Sequence, residues 1–206
     1  MKANYLVFIV FIGLVFQGCM TKRASLKSFI DPSIQTAAVK TVGVFSMRNA
    51  AFSPGETMDM DRAITQAFIQ KNRAVAIIGT TEANAMLNRE NLAGEFAKFL
   101  EDFEKSGIPN TVFLNKLKSE FNIDAILQGR MSDVKQNDAG REGKAQSSLT
   151  IRYTILSTSN GTILWEGTSN ANIVYGSSKG RFAPPFYEVG TLAQDKIISS
   201  IPMLAQ

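Results

Sequence analysis

The side chains that most often carry chemistry in proteins are nearly absent from this sequence. Its 206 residues include no histidine and a single cysteine, Cys19. Without histidine, the chain cannot form a Ser-His-Asp or Cys-His catalytic group, and it lacks the usual histidine ligands of zinc and haem. One cysteine cannot form an intrachain disulfide, a Cys-x-x-Cys redox pair or a protein-bound iron–sulfur cluster. We therefore expect no enzymatic activity, no metal site and no cofactor, and an envelope enzyme based on carboxylates is the least favoured alternative.

Two short motifs match catalytic sequences but lack the context that the chemistry requires. Residues 176–180 match Gly-x-Ser-x-Gly, yet a nucleophile elbow also needs a preceding strand, a following helix and a histidine. Ser132 and Lys135 match Ser-x-x-Lys, a motif that works when a helix places both side chains on one face. Here the pattern indicates a strand, which would put them on opposite faces. Both matches are interpreted as chance.

The N-terminal residues have the pattern of a bacterial signal peptide. Lys2 precedes an apolar run of 12 residues at positions 5–16. A helix of that length spans about 18 Å, whereas the hydrocarbon core of a bilayer is about 30 Å thick. The run is therefore too short for a stable membrane span and fits a signal sequence. Residues 1–18 are predicted to be removed as a signal peptide.

Gly18 and Cys19 at the end of this run resemble the lipobox of bacterial lipoproteins. The resemblance implies cleavage before Cys19 and attachment of lipid to the protein there, with palmitate among the acyl chains. Met20 follows the cysteine where an Asp would favour retention in the inner membrane. The protein is thus expected to be anchored in the outer membrane through Cys19 and to face the periplasm.

The net charge of +4 does not indicate a nucleic-acid partner, because the basic residues are scattered along the chain. Their only tight group, Lys22, Arg23 and Lys27, follows the cysteine and could meet anionic lipid headgroups. Residues 19–37 are polar and lack clear periodicity, so they are predicted to form a lipidated, solvated tether. Residues 38–206 are predicted to form a single folded domain.

The first half of that domain alternates between strand and helix patterns. Two short apolar runs predict buried strands, at residues 41–47 and 74–79. Ser53 and Glu56 have the spacing of a capping box at the start of a helix that ends near Asn72. Asp59 and Asp61 follow in the first turns, where carboxylates suit the helix dipole, and we interpret them as helix-start residues rather than metal ligands.

The second half of the domain changes from helices to alternating strands. An apolar stripe predicts one helix, at Phe96, Phe99, Leu100 and Phe103. Asn110 is predicted to cap the helix that follows. Alternation between residues 148 and 155, with an Asn-Gly turn at Asn160, predicts antiparallel strands, and a final helix is predicted over about 187–203. The fold class is therefore α/β, an α+β sandwich in which a mixed sheet with an antiparallel C-terminal meander carries helices packed on it.

Four stretches in this order resemble the curli-secretion lipoproteins (CsgG-like) and the related lipoprotein activators of peptidoglycan synthases (LpoB-like). They are residues 42–45 with Arg48 and Asn49, residues 74–78 with Met86 and Leu87, residues 117–129, and residues 149–156 with 159–165. The resemblance implies the shared α/β domain of that family and carries over no catalytic residues. The length of the predicted core leaves little room for the extra membrane-spanning hairpins of the curli pore, so the resemblance supports the shared domain and not pore formation.

The anchor and the resemblance together favour a protein-binding module that assists envelope assembly or secretion by binding another envelope protein. The alternative is a subunit of a curli-type oligomeric export channel, which would make the protein a homo-oligomer. The copy number of the assembly in detergent would distinguish the two, because a channel requires a ring of many copies.

One loop contains the residue types that dominate binding hot spots. Arg181, Phe182, Phe186 and Tyr187 surround a stiff Pro-Pro pair, and proline lowers the cost of ordering a loop on binding. These four residues are predicted to bind the partner. The alternative is that the aromatic side chains pack back onto the sheet and hold the last helix in place.

Overall fold

The computed structural model describes residues 20–139, 144–176 and 182–204. Its strands are β1 (Thr21–Ile30), β2 (Thr41–Arg48), β3 (Ala76–Ile78), β4 (Ala125–Asn137), β5 (Ala145–Ser157) and β6 (Ile163–Tyr175). Its helices are α1 (Pro54–Lys71), α2 (Thr80–Arg89), α3 (Ala93–Ser106), α4 (Thr111–Phe121) and α5 (Phe186–Ser200), with a short 3-10 helix at Pro32–Gln35. This mixture of helices and strands confirms the predicted fold class.

The six strands form one mixed sheet in the order β1-β6-β5-β4-β2-β3. β2 runs parallel to β3 and to β4, whereas the pairs β4–β5, β5–β6 and β6–β1 are antiparallel. The second half of the domain is therefore the predicted antiparallel meander. β2 ends at Arg48, opposite Arg130, but β4 continues to Asn137, so the meander extends beyond the parallel part of the sheet.

Helices cover both faces of the sheet. Neighbouring residues of a strand point to opposite faces, and in β4 Leu127 joins a core with α1 and α5 while Ile126 joins a second core with α2, α3 and α4. On the second face, the side chains of β1 and β6 are partly or fully accessible to solvent, as at Thr168 and Asn170. We call this uncovered area, formed by alternate residues of β1, β6, β5 and the end of β4, the open face.

Local sequence signals start two helices where they were predicted. Ser53 Oγ accepts a hydrogen bond from the Glu56 N–H at 3.3 Å, and the Glu56 carboxylate accepts one from the Ser53 N–H at 2.8 Å. This confirms the capping box of α1. Asn110 Oδ1 accepts from the N–H groups of Val112 and Phe113 and caps α4. Both caps satisfy amide groups that have no partner within the helix.

Residues 21–30 form strand β1, which corrects the prediction of an irregular tether over residues 19–37. All ten residues of β1 pair with β6. Ala24 and Leu26 pack against the core, but most of the other side chains are exposed. The segment carries few apolar residues because β1 is an edge strand and one of its faces is open to water.

β3 also differs from the prediction, which was a buried strand over residues 74–79. It has three residues, of which Ala76 is exposed and Ile77 and Ile78 are half-buried. β3 forms the edge of the sheet opposite β1 and pairs with β2 alone. Its edge position explains its short length and its exposure, and the buried residue of this segment is Val75, just before the strand.

A bulge in β4 changes the predicted faces of Ser132 and Lys135. The pairing with β5 shifts between Ser132, opposite Thr150, and Lys135, opposite Ser148. Asp133 lies between them with φ of 52°, a left-handed conformation that Asp tolerates better than most residues. The extra residue puts Ser132 and Lys135 on the same face, where a regular strand would separate them. The Ser132 hydroxyl is hydrogen-bonded to Asp133 Oδ2 at 3.2 Å.

Candidate functional site

The structure describes three of the five residues that were predicted to act in anchoring or binding. Cys19 and Arg181 lie outside the described residues, so their roles stay predictions. Phe182 is 80% exposed, whereas Phe186 and Tyr187 are half-buried and pack against the core. One aromatic side chain is thus on the surface and two support α5. Partner binding by these residues also stays a prediction.

Hydrogen bonds hold the segment just before α5 against the end of the β4–β5 pair. The Ala183 N–H donates to Asp138 Oδ1 at 2.7 Å. The Pro184 carbonyl accepts from Ser147 Oγ at 2.6 Å and from Gln136 Nε2 at 3.0 Å. Ser147 and Pro184 are buried, so water does not compete strongly for these bonds. The exposed phenylalanine therefore precedes a segment whose position is set by two strands.

Tyr187 contacts the loop that follows β2. Its ring lies edge-on to the ring of Phe52, with 6.2 Å between the ring centroids. The Phe52 ring also covers Gly190 of α5, where an added Cβ would collide with Phe52 Cζ. Asn49 orders this loop, because its Oδ1 accepts from the Phe52 N–H at 2.8 Å and its Nδ2 donates to Thr57 Oγ1 at 2.9 Å. These contacts attach the start of α5 to the β2–α1 loop.

The first residues of β1 meet the start of α5. Lys22 Nζ lies 2.7 Å from Glu188 Oε1, and the Tyr175 hydroxyl donates to Glu188 Oε2 at 2.7 Å. The pKa of Tyr175 is raised, because this hydrogen bond is lost and two negative charges meet when the phenol ionises. Thr21, Tyr175 and the start of α5 thus lie at one end of the sheet, which we call the Thr21 end.

β1 is the edge strand at one side of the described sheet. One edge of the strand pairs with β6, and its other edge has no partner strand among the described residues. Arg23, Ser25 and Lys27 alternate on the open face and are exposed. Neither Arg23 nor Lys27 forms an ion pair within the described part of the chain. The unpaired N–H and C=O groups of such an edge can bind an extended segment of another protein.

A cleft of about 720 Å³ opens at the carboxyl end of β2, between the first turns of α1 and α2. Asp61 of α1 is buried beside it. Its Oδ2 accepts from Ser46 Oγ at 2.6 Å, and its Oδ1 accepts from the Met47 N–H at 3.0 Å. Burial raises the pKa of Asp61, and the two hydrogen bonds oppose part of that rise. Asp61 therefore ties α1 to β2, which corrects its interpretation as a helix-start carboxylate.

The sequence contains a signal for this inward orientation of Asp61. The residue precedes Ile64 by three positions and Phe68 by seven, which places all three on one face of α1, and all three are buried. Glu82 and Thr80 also line the cleft, and the Thr80 hydroxyl has no hydrogen-bond partner in the described structure. Among residues 20–139, 144–176 and 182–204, no three His, Cys, Asp or Glu side chains cluster closely enough to hold a metal ion.

No protein-family model matches this sequence, and no curated protein matches it. Among solved structures, PelC from Paraburkholderia phytofirmans, a dodecamer, is 16% identical with a TM-score of 0.46, over 89% of this chain and 99% of that chain. Lipoprotein GNA1162 from Neisseria meningitidis is 17% identical with a TM-score of 0.39, over 78% and 99%. The hypothetical protein CT253 from Chlamydia trachomatis is 10% identical with a TM-score of 0.46, over 79% and 95%. At these values the similarities assign neither a family nor a function, and the resemblance to CsgG-like and LpoB-like lipoproteins stays a prediction.

Proposed function

We propose that this protein is an outer-membrane lipoprotein that faces the periplasm and acts by binding another envelope protein, rather than by catalysis, to assist envelope assembly or secretion. The observation that carries the proposal is the position of β1. This strand begins two residues after the predicted lipid-bearing cysteine, and one of its edges has no partner strand in the part of the chain that the structure describes. Membrane attachment and a partner-binding edge would thus belong to one continuous segment.

Membrane attachment rests on Cys19 in this proposal. The apolar run before it has the length of a signal sequence, and Gly18 and Cys19 end that run as a lipobox does. In the described residues, every helix is too short or too polar to cross a membrane. A lipoprotein carries several acyl chains, and more than one chain is needed for stable anchoring.

Partner binding rests on the edge of β1. Ten residues are a long edge for a strand that is left unpaired, since exposed edges are usually short or covered. Arg23 and Lys27 project from the same face of this strand. Like charges disfavour pairing of β1 with a second copy of itself, and they favour an extended partner segment that carries acidic residues. We therefore propose β-strand addition by an acidic segment of an envelope protein.

The lipid part of the proposal is tested by labelling cells with an alkynyl palmitate analogue. Wild-type protein should be labelled and should fractionate with the outer membrane, whereas Cys19→Ser should be unlabelled and released. As a control, Cys19→Ser combined with Ser25→Cys restores a thiol six residues later and should also stay unlabelled. Unchanged labelling of Cys19→Ser would contradict the anchor.

The partner part is tested by a photoreactive amino acid at Ser25 in intact cells. It should form crosslinks to a different envelope protein, and Lys27→Glu in the same background should reduce them. Lys98→Glu is the matched control, because Lys98 is also exposed but lies on α3, away from β1. Crosslinks only to further copies of this chain would refute a different partner and would favour the oligomeric export channel.

A further inference from the structure

The Phe182 segment lies close to the point where the N-terminus enters the sheet. Lys22 is opposite Ile173 of β6, and Ile173 is opposite Ser147 of β5. Neighbouring strands are about 4.8 Å apart, so Ser147 lies about 10 Å across the sheet from Lys22. Ser147 is the residue whose hydroxyl holds the Pro184 carbonyl. The exposed Phe182 therefore belongs to the Thr21 end of the molecule.

The chain leaves almost no slack between this end and the predicted anchor. Met20 is the only residue between Cys19 and Thr21. Two trans peptide units span at most about 7 Å, so Cys19 cannot lie farther than that from the first residue of β1. This step rests on the proposed lipidation of Cys19. A cysteine that carries acyl chains lies at the membrane surface, and it brings the Thr21 end there with it.

The side chains at this end suit a lipid surface. Phe182 is 80% exposed, although the residues that follow it are held by hydrogen bonds and packing. An exposed Phe on a fixed segment can enter the boundary between headgroups and acyl chains without ordering a loop first. Such insertion would remove its apolar surface from water.

The unpaired charges at this end are mainly positive. Arg23, Lys135 and Lys144 are exposed, and none forms an ion pair within the described residues. Glu188 is already paired with a lysine and a tyrosine. Two further carboxylates nearby, Asp133 and Asp138, are exposed and accept hydrogen bonds from the Ser132 hydroxyl and the Ala183 N–H, so the three cations outnumber them in the described part of the chain. Free cations close to a membrane attract anionic headgroups over distances of about a Debye length.

We propose that the Thr21 end docks onto the membrane, with Phe182 inserted at the headgroup boundary and Arg23, Lys135 and Lys144 facing anionic phospholipids. The lipid anchor would then fix not only the location of the domain but also its orientation, with β1 and β4–β6 pointing away from the bilayer. A flexibly tethered domain would have no preferred orientation.

The test uses the full-length, lipidated protein with Phe182→Trp in vesicles of phosphatidylethanolamine and phosphatidylglycerol. The chain has one native tryptophan, Trp165, which is fully buried and supplies a constant background. Lipids brominated near the headgroup end of their acyl chains should quench most of the added emission. The control is Ile108→Trp, because Ile108 is 73% exposed and lies near the β5–β6 turn at the opposite end, where Pro109 contacts Gly161.

Quenching at position 182 but not at position 108 is the expected result. Equal quenching at both positions, or none at position 182, would overturn the docked orientation. Unchanged palmitate labelling of Cys19→Ser, or no labelling of the wild-type protein, would instead refute the anchor, so the two proposals fail in different experiments. A photoreactive residue at position 182 that crosslinks to an envelope protein in cells, with no bromolipid quenching, would assign this surface to a protein partner and refute the lipid assignment.

Discussion

Gly129→Ala should destabilise the protein, because the site has no room for a methyl group. An added Cβ would lie 2.5 Å from Tyr153 Cε1, whereas unstrained carbon atoms sit about 3.5–4.0 Å apart. The Tyr153 ring cannot easily move away. The ring is buried. The Tyr153 hydroxyl accepts a hydrogen bond from Gln194 Nε2 at 3.1 Å and donates one to Met47 Sδ at 3.9 Å.

Overpacking a core costs about 1–3 kcal/mol, and we expect the upper part of that range because the ring is held at its far end. For a chain of this size, a loss of about 2–3 kcal/mol lowers the melting temperature by roughly 4–12 °C. The measurement is thermal and urea unfolding of the purified protein. Gly94→Ala in the first turn of α3 is the matched control, since nothing lies within 4 Å of its added Cβ. It should be neutral or slightly stabilising.

A second background separates the clash from other effects of the substitution. Tyr153→Val keeps a good strand former but has no atom beyond Cγ, so it removes the ring that the new methyl group would meet. In that background Gly129→Ala should be neutral or stabilising. Equal stability of Gly129→Ala and Gly94→Ala in the wild-type background would refute the packing argument.

Three further predictions concern stability. Burial raises the pKa of Asp61, so protonation of this carboxyl favours the folded state, and the unfolding free energy should fall as the pH rises from 3.8 towards the folded-state pKa. Asp61→Asn should remove this loss. The measurement is the urea midpoint across that pH range, which should fall with pH in the wild type and not in the variant. Phe182→Ala should change the unfolding free energy by less than about 0.5 kcal/mol, whereas Phe186→Ala should cost roughly 1–2 kcal/mol, a fraction of the cost at a fully buried Phe. The melting temperature should not change with chelator or reductant, since the chain has no histidine and one cysteine; a drop with chelator would reveal a carboxylate metal site.

Features that depend on neighbouring residues could be predicted from the sequence. The capping box at Ser53, the Asn110 cap and the buried stripe of Phe96, Phe99 and Leu100 each involve residues within one or two turns of a helix. The inward positions of β5 have a local signal as well, because Leu149, Ile151, Tyr153 and Ile155 alternate with polar residues and therefore share one face of the strand. Thr150 and Thr154 are also buried, although alternation assigns them to the wet face. Residues of other elements bury these two side chains, and the residue pattern of β5 alone does not record those contacts.

Features that depend on distant partners could not be predicted. β1 pairs with residues 165–174 through backbone hydrogen bonds. Backbone groups are the same in every residue, so this pairing cannot be recognised from the pattern of side chains. The orientation of Ser132 and Lys135 depended on the bulge at Asp133, whose signal is the spacing of three between the inward Met131 and Val134 where a regular strand has two. The loop around Phe182 is held by residues more than 35 positions away.

Because residues 21–30 form a strand and not a flexible tether, the place where a partner could bind β1 is more restricted. A tether would let the domain search the periplasm, whereas a strand that starts beside the proposed anchor at Cys19 would keep β1 within its own length of the membrane. Ten residues at about 3.3 Å each give β1 a length of about 30 Å. In the docked orientation, Arg23 and Lys27 lie roughly 7 and 20 Å from the first residue of the strand by the same rise per residue. An acidic segment that adds to this edge must therefore belong to a protein whose chain comes within about 30 Å of the outer membrane, and crosslinks from Ser25 should map to such a membrane-proximal segment. Crosslinks to a periplasmic segment that is held farther from the membrane would contradict attachment of the start of β1 at the membrane, even if strand addition itself is correct.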